Sequence, residues 1–236
     1  MIMPNEFTIR WIGQGGYALR CNGSTLLVDP YFSNLAGHQR LVPPPWDMKD
    51  TKTDFFLVTH DHADHLDVDM IREMNCEGVR FLCPESCKTA LRALDKGIAE
   101  EQITTMYRGG FLDCGDFVLE ALYANHTPDS LGFVVACNGL RLYITGDTLY
   151  DEDVGANARA DVVCCCINGR WGNMDAAEAV EVALRSGARL AIPNHYGMFA
   201  ENTADPADFT RAAEARGIKT YVMEQDEEVD LAGLAE

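Results

Sequence analysis

Positive charge is what this sequence has least of for its size: 19 Lys and Arg stand against 37 Asp and Glu, a formal net charge of -18. Nucleic-acid binders normally carry a basic stripe that exchanges counterions with phosphate, so no nucleic-acid partner is expected and a nuclease is disfavoured. A single small phosphorylated substrate stays open, because bound divalent cations invert the field locally. No stretch of about 18 consecutive apolar residues occurs, and Met1 to Phe7 lack a basic stretch leading into an apolar run. No membrane span or leader is predicted, and a cytoplasmic location is expected. The nine cysteines are odd in number, lie at no zinc-finger spacing and include the run Cys164, Cys165, Cys166. They read as reduced, mostly buried thiols, Cys83 and Cys87 among them even though those two could share a helical face.

What is present bounds the architecture. A chain of 236 residues with 47% hydrophobic residues can bury one full core, so a single domain over residues 1–236 is expected. Phe7–Ile12, Tyr17–Cys21 and Thr25–Val28 read as an antiparallel start, with Asn22-Gly23 as a hairpin turn. Tyr31 to Thr53, with Pro43-Pro44-Pro45, is too stiff for a helix and too long for an ordinary connection, as in loops that cover a site. Phe55–Thr59 is an apolar strand, and helices are predicted over Leu66–Met74 and Pro84–Leu94 with strands at Val79–Leu82 and Ile103–Tyr107. A second β-rich block follows at Phe117–Ala124, Leu131–Ala136, Leu140–Thr145 and Asp161–Ile167. Then come a helix at Met174–Arg185, a strand at Leu190–Pro193, a helix at Pro206–Ala215 and a last strand at Lys219–Met223. Two β-rich halves with interspersed helices predict two facing sheets with helices outside.

Histidine is scarce, yet three of the six fall within Thr59-His60-Asp61-His62-Ala63-Asp64-His65-Leu66-Asp67, directly after a buried strand. In extended backbone His60 and His62 point to the same side and can reach one ion, while Asp64 and His65 turn into a helix start and can aim at a second. His126, Asp147 and His195 also stand just past apolar strands, which suggests one shared rim. Each alone would be an ordinary surface or turn residue; the dense cluster raises them to ligands. Imidazole and carboxylate without thiolate suit zinc, manganese, iron or cobalt. Asn168, Arg170 and Tyr196 follow strands near the same rim and are candidates for substrate binding, Arg170 as a fork for carboxylate or phosphate. Arg40 and Trp46 in the long loop read as a solvated cation and a packing ring, and His38 as loop surface.

The His-x-His-x-Asp-His pattern at residues 60–65 resembles the metallo-β-lactamase superfamily. The resemblance spans nearly the whole chain and implies an α+β fold, a four-layer αββα sandwich of two mixed β-sheets with helices outside. It further implies that His60, His62 and His126 hold one metal, that Asp64, His65 and His195 hold another, and that Asp147 bridges them. Asp29 matches the family's early aspartate behind the ligands, a position that a turn at a strand's end explains equally well. Trp11–Gly16, Thr59–His62, Asn168–Met174 and Pro193–Phe199 are similar to the ascorbate-6-phosphate lactonase branch. Members of that branch are longer at both ends and lack a histidine where His126 stands, so a compact relative with its own substrate is implied.

The chemistry implied is a dimetal hydrolase, with zinc or manganese ions lowering the pKa of a water held between them for attack on a lactone or ester carbonyl of a small metabolite. Asp64 is the candidate to take the proton and return it to the leaving oxygen. A small-molecule phosphodiesterase is the alternative. A redox enzyme of the flavodiiron type is disfavoured by His62 where glutamate is typical and by the absence of room for a flavin module; a metal-binding scaffold without turnover is the remaining rival. The partner expected is a small molecule, with homo-oligomerisation left open.

Overall fold

The computed structural model describes residues 6–235, so Met1–Asn5 of the stretch read above for a leader lie outside it. One sheet contains β1 (Phe7–Gly13), β2 (Gly16–Cys21), β3 (Ser24–Val28), β4 (Phe55–Leu57), β5 (Arg80–Cys83) and β6 (Ile103–Thr105). The other contains β7 (Phe111–Asp113), β8 (Val118–Tyr123), β9 (Leu131–Cys137), β10 (Leu140–Ile144), β11 (Val162–Cys166), β12 (Leu190–Asn194) and β13 (Lys219–Thr220), while β14 (Glu228–Asp230) returns to the first sheet. The orders are β14-β1-β2-β3-β4-β5-β6 and β13-β12-β11-β10-β9-β8-β7. Each sheet starts as an antiparallel meander and continues with parallel strands, from β3 onward in the first and from β10 onward in the second. Both are therefore mixed, as expected.

Packing follows from the residue pattern. Along β1 the residues alternate between buried and partly exposed before the strand becomes fully buried, whereas every residue of β11 is buried, as a parallel strand covered on both faces requires. The sheets meet through aromatic edges: Phe117 lies 6.4 Å from both Phe7 and Phe55, ring centre to ring centre. Truncating such a fully buried ring to alanine costs about 3–5 kcal/mol. On the outer face of the first sheet, Phe56 and Phe81 pack with Met70 and Ile71 of α1 (Val68–Glu73) and Cys87 and Leu91 of α2 (Glu85–Arg92). On the outer face of the second, α3 (Ala176–Ser186) and α4 (Pro206–Glu214) contribute Val180, Ala183, Phe209 and Ala213. The result is four layers, αββα, with a short α5 (Leu231–Ala235) beside β1 and β14.

Local signals explain the helix ends. Asp175 and Glu178 form a reciprocal cap at the start of α3, and Gly187 in the left-handed conformation stops it. Pro206 opens α4 behind Asp205. Asp67 caps α1 and also takes the Phe32 and Ser33 amides at 2.8 and 2.9 Å, tying the long loop to the helix that follows the histidine cluster.

Three expectations change. The thiols are not all reduced: Cys21 and Cys137 form a disulfide joining β2 to β9, their Cα atoms 6.4 Å apart. The other seven cysteines are free. The last strand is not Lys219–Met223, since β13 stops at Thr220 and β14 follows. Arg40 is no solvated cation; its guanidinium donates to the carbonyls of Val42, Ser33 and Tyr31, folding the long loop around itself. Trp46 is a packing ring as expected, against Phe32. No helix among the described residues is long and apolar enough to cross a membrane.

Candidate metal centre

All seven ligand-type residues converge beyond the ends of β4, β8, β10 and β12. His60, His62 and His126 form one group whose ligand atoms lie within 4.8 Å of one another; His60, His65 and Asp147 form a second, and Asp64, His65 and His195 a third. The groups overlap in His60 and His65. Asp147 sits between the others, Oδ1 3.3 Å from His65 Nε2 and Oδ2 3.1 Å from His195 Nε2 and 4.0 Å from His126 Nε2. His60, His65 and His195 are buried, whereas His62 is exposed and marks the open side.

Asp29 explains how the imidazoles are aimed. Its Oδ1 takes the Thr59 amide at 2.8 Å, and its Oδ2 takes the Thr59 hydroxyl at 2.6 Å and His65 Nδ1 at 2.8 Å. With its hydroxyl proton given to Asp29, Thr59 Oγ1 is left to accept from His60 Nδ1, 3.0 Å away. His126 Nδ1 donates to the Gly172 carbonyl at 2.9 Å. All three rings therefore commit Nδ1 to an outer partner and turn Nε2 inward, the arrangement that outer hydrogen bonds impose on metal-binding histidines. His126 Nε2 then arrives 3.0 Å from His62 Nδ1, close enough for both to share one cation.

The electrostatics show that the carboxylates favour a positive charge at the centre, carried by the His65 proton where no cation is bound. Burial alone would pull the His65 imidazolium down, but Asp147, then Asp29 and Asp64, hold its pKa well above the ordinary value. Burial pushes the Asp147 carboxyl up, and His195 and His65 outweigh it, leaving the carboxyl well below the usual range. Burial, then the neighbouring His65, keep His60 unprotonated. His60 Nε2, His65 Nε2 and Asp147 Oδ1 are buried without a hydrogen-bond partner. Orphaned atoms of this kind are costly in a folded interior, and cations held among them would satisfy all three. The donor set, imidazole nitrogen and carboxylate oxygen, fits divalent transition metals.

Sequence reasoning missed three supports. Gln14, at a register break in the β1–β2 hairpin, donates from Nε2 to Asp64 Oδ2 at 3.1 Å, and its main-chain carbonyl takes the His195 main-chain amide at 3.0 Å. Asn173 donates to Asp147 Oδ2 at 2.7 Å. Gly172 must be small, because a Cβ there would stand 2.8 Å from His126 Nδ1. Neutral amides carry little sequence signal; the glycines flanking Gln14 were the available clue.

The three candidate substrate residues each have a partner outside the cluster. Tyr196 is buried, its ring 4.9 Å from Trp11 and its hydroxyl on the Met223 carbonyl at 3.4 Å, so it serves the core. Asn168 is buried and gives its amide to Asn202 Oδ1 at 2.7 Å. Arg170 is exposed and donates to the Glu201 carbonyl at 2.8 Å. His38 is only partly exposed, and meets Trp171 and Phe199 edge-on.

Residues 24–196 match the model of the Beta-lactamase superfamily domain. The chain belongs to the metallo-β-lactamase superfamily. It is 32% identical over 231 residues to a UPF0173 metal-dependent hydrolase of Pyrobaculum islandicum, covering 91% of this chain and 96% of that one. A UPF0173 metal-dependent hydrolase of Sulfurisphaera tokodaii is 26% identical over 229 residues, 94% of this chain and 99% of the other. Among solved structures, Igni18, a metallo hydrolase from Ignicoccus hospitalis, shares the fold with a TM-score of 0.77 at 23% identity, over 95% of this chain and 98% of that one. The superfamily member described here is a metal-dependent hydrolase.

Proposed function

We propose that this hydrolase opens a lactone or ester carbonyl of a small metabolite with two divalent transition-metal ions, zinc or manganese. The observation that carries the reading is the set of buried, unpartnered atoms His60 Nε2, His65 Nε2 and Asp147 Oδ1 in the midst of the convergent histidines. His60, His62 and His126 would hold one ion, Asp64, His65 and His195 the other, with Asp147 shared between them. Such ions, when bound, lower the pKa of water toward neutrality and polarise a carbonyl as Lewis acids.

The chain's own residues supply the rest. Asp147, kept ionised by its histidine neighbours and fixed by Asn173, compensates positive charge at the centre. Asp64, held by Gln14 through Oδ2, which lies 3.7 Å from His195 Nε2, is the carboxylate that would accept a proton from the attacking water and return it to the leaving oxygen. His60, His65, His195, Asp29 and Asp147 are buried, so these charges act in a medium of lower dielectric than water.

The test is turnover of a panel of lactones and carboxylic esters against small phosphodiesters, with zinc or manganese restored to metal-depleted protein. Metal-dependent opening of lactones or esters is expected; turnover confined to phosphodiesters would replace this reading. Asp64→Asn should lower kcat by about 10²-fold or more if Asp64 moves the proton, and an unchanged kcat would remove that role.

A further inference from the structure

Two large apolar side chains stand exposed beside the metal cluster, Trp171 at 57% and Leu149 at 46%. Both are held to it by backbone. The Leu149 amide donates to the carbonyl of Asn125, the residue before His126, at 2.9 Å. Trp171 precedes Gly172, whose carbonyl fixes His126 Nδ1. The two segments are joined to each other where the Met174 amide meets the Thr148 carbonyl at 2.8 Å. They therefore flank His126, and the long loop adds His38, whose ring meets Trp171 edge-on with centres 5.5 Å apart.

Trp171 is also strained. Its φ of 52° lies in the left-handed region, where a bulky side chain is a genuine outlier. Most of the indole faces solvent, so core packing does not compensate for that conformation. Strain of this kind persists where surroundings or function hold it, and it clusters at ligand-binding sites. Charge points the same way: among the described residues no Lys or Arg bonds to any of the seven ligand-type residues, and the nearby Arg170, its guanidinium 5.9 Å from the Trp171 ring centre, already gives one N–H to the Glu201 carbonyl. Beyond the metals a phosphate would find only that one partly engaged guanidinium, on an otherwise apolar surface.

We propose that Trp171, with Leu149 and the edge of His38, is the platform that receives the non-reacting part of the substrate. The preferred substrates are then esters or lactones bearing an apolar or aromatic group rather than a phosphate. The nature of the scissile bond rests on the hydrolytic reading above; the platform itself does not. An indole offers a broad face with few rotatable bonds, and binding energy gathered on it can be used at the reacting carbonyl.

Two kinds of measurement test this on metal-loaded protein. In turnover, the fused aromatic lactone dihydrocoumarin should exceed the bare ring δ-valerolactone and a phosphorylated sugar lactone in kcat/KM. Trp171→Ala should lower the first ratio by about tenfold, mainly through KM and with metal content unchanged, and Trp171→Phe should retain most of it. In calorimetry, the non-hydrolysable isostere β-tetralone should bind more tightly than cyclohexanone, and Trp171→Ala should remove that preference. Trp171→Gly should show the same loss of preference with an undiminished Tm, because glycine takes this backbone angle without strain. Equal binding of the two ketones, or an unchanged preference in Trp171→Ala, overturns the platform; so does a preference for the phosphorylated lactone. If no lactone or ester is turned over at all, the hydrolytic reading fails while the ketone titrations still decide the platform.

Discussion

The two ends of the sandwich use the same left-handed backbone angle on different residue types. Away from the histidines it falls on Asn22 (φ 52°) and Asn138 (φ 51°), each followed by glycine, on Asp226 (68°) and on one larger residue, Arg159 (46°). At the metal end it falls on Gln14 (52°), Asp29 (42°), Trp171 (52°) and His195 (64°). Asparagine before glycine adopts the conformation at little cost in a tight hairpin, and aspartate and histidine tolerate it, whereas glutamine and tryptophan do not. The penalty for such residues is roughly 1–2 kcal/mol each. At the far end the turns are satisfied: the Asn22 and Asn138 amides bond each other in both directions at 3.1 Å, beside the Cys21–Cys137 disulfide. At the metal end strain coexists with buried orphan atoms. Stability is stored at one end and spent at the other, to aim ligands.

Substitutions at the two ends should therefore separate function from stability. The largest effect is expected for Asp147→Ala, which removes the carboxylate between the two histidine groups. Metal retention should fall from two equivalents to one or none and hydrolysis should be abolished, as read by elemental analysis and turnover; a variant that keeps both ions breaks the comparison. Next, Cys21→Ser with Cys137→Ser should cost about 2–4 kcal/mol in denaturant unfolding, while metal content per folded molecule stays unchanged. Loss of metal in that variant would mean the ends are coupled. Asp29→Asn keeps the shape but weakens the acceptor for Thr59 and His65, so metal affinity measured by competition with a chelator should drop about 10- to 100-fold. The smallest effect is that of Asn138→Ala, which puts alanine at a positive φ and cuts the paired amides; about 1–2 kcal/mol of stability should go, with turnover intact.

A pH effect sharpens the same contrast from the core. Burial pushes the Cys83, Cys164 and Cys166 thiols up to about 12, from an ordinary 9.0. Because the folded pKa is the higher one, the unfolded chain loses these protons first, and the stability they contribute is full below about pH 9 and lost as pH rises toward 12. Unfolding midpoints measured across that window should fall steadily, and a flat profile would contradict buried, inert thiols.

Much of this was legible before any coordinates. The cluster from His60 to His65 could be read because one apolar strand delivers it whole. His126, Asp147 and His195 arrive singly, and only their shared position past strand ends linked them. The layered fold followed from strand and helix periodicities, but β7 and β14 are three-residue edge strands, too short for alternation to show. The disulfide was hidden because its partners are 116 residues apart and meet only across facing sheets. The direction of the substrate candidates was not legible for a physical reason: standing after a strand near the rim does not fix where a side chain turns, and Tyr196 is buried in the core while Trp171, next to Arg170, is exposed.

The most direct test is elemental analysis of protein purified without chelator or affinity metal, repeated on Asp147→Ala. The account predicts about two transition-metal ions per chain, reduced in the variant. Protein that is folded and yet holds no transition metal, even after dialysis against zinc and manganese, would contradict it.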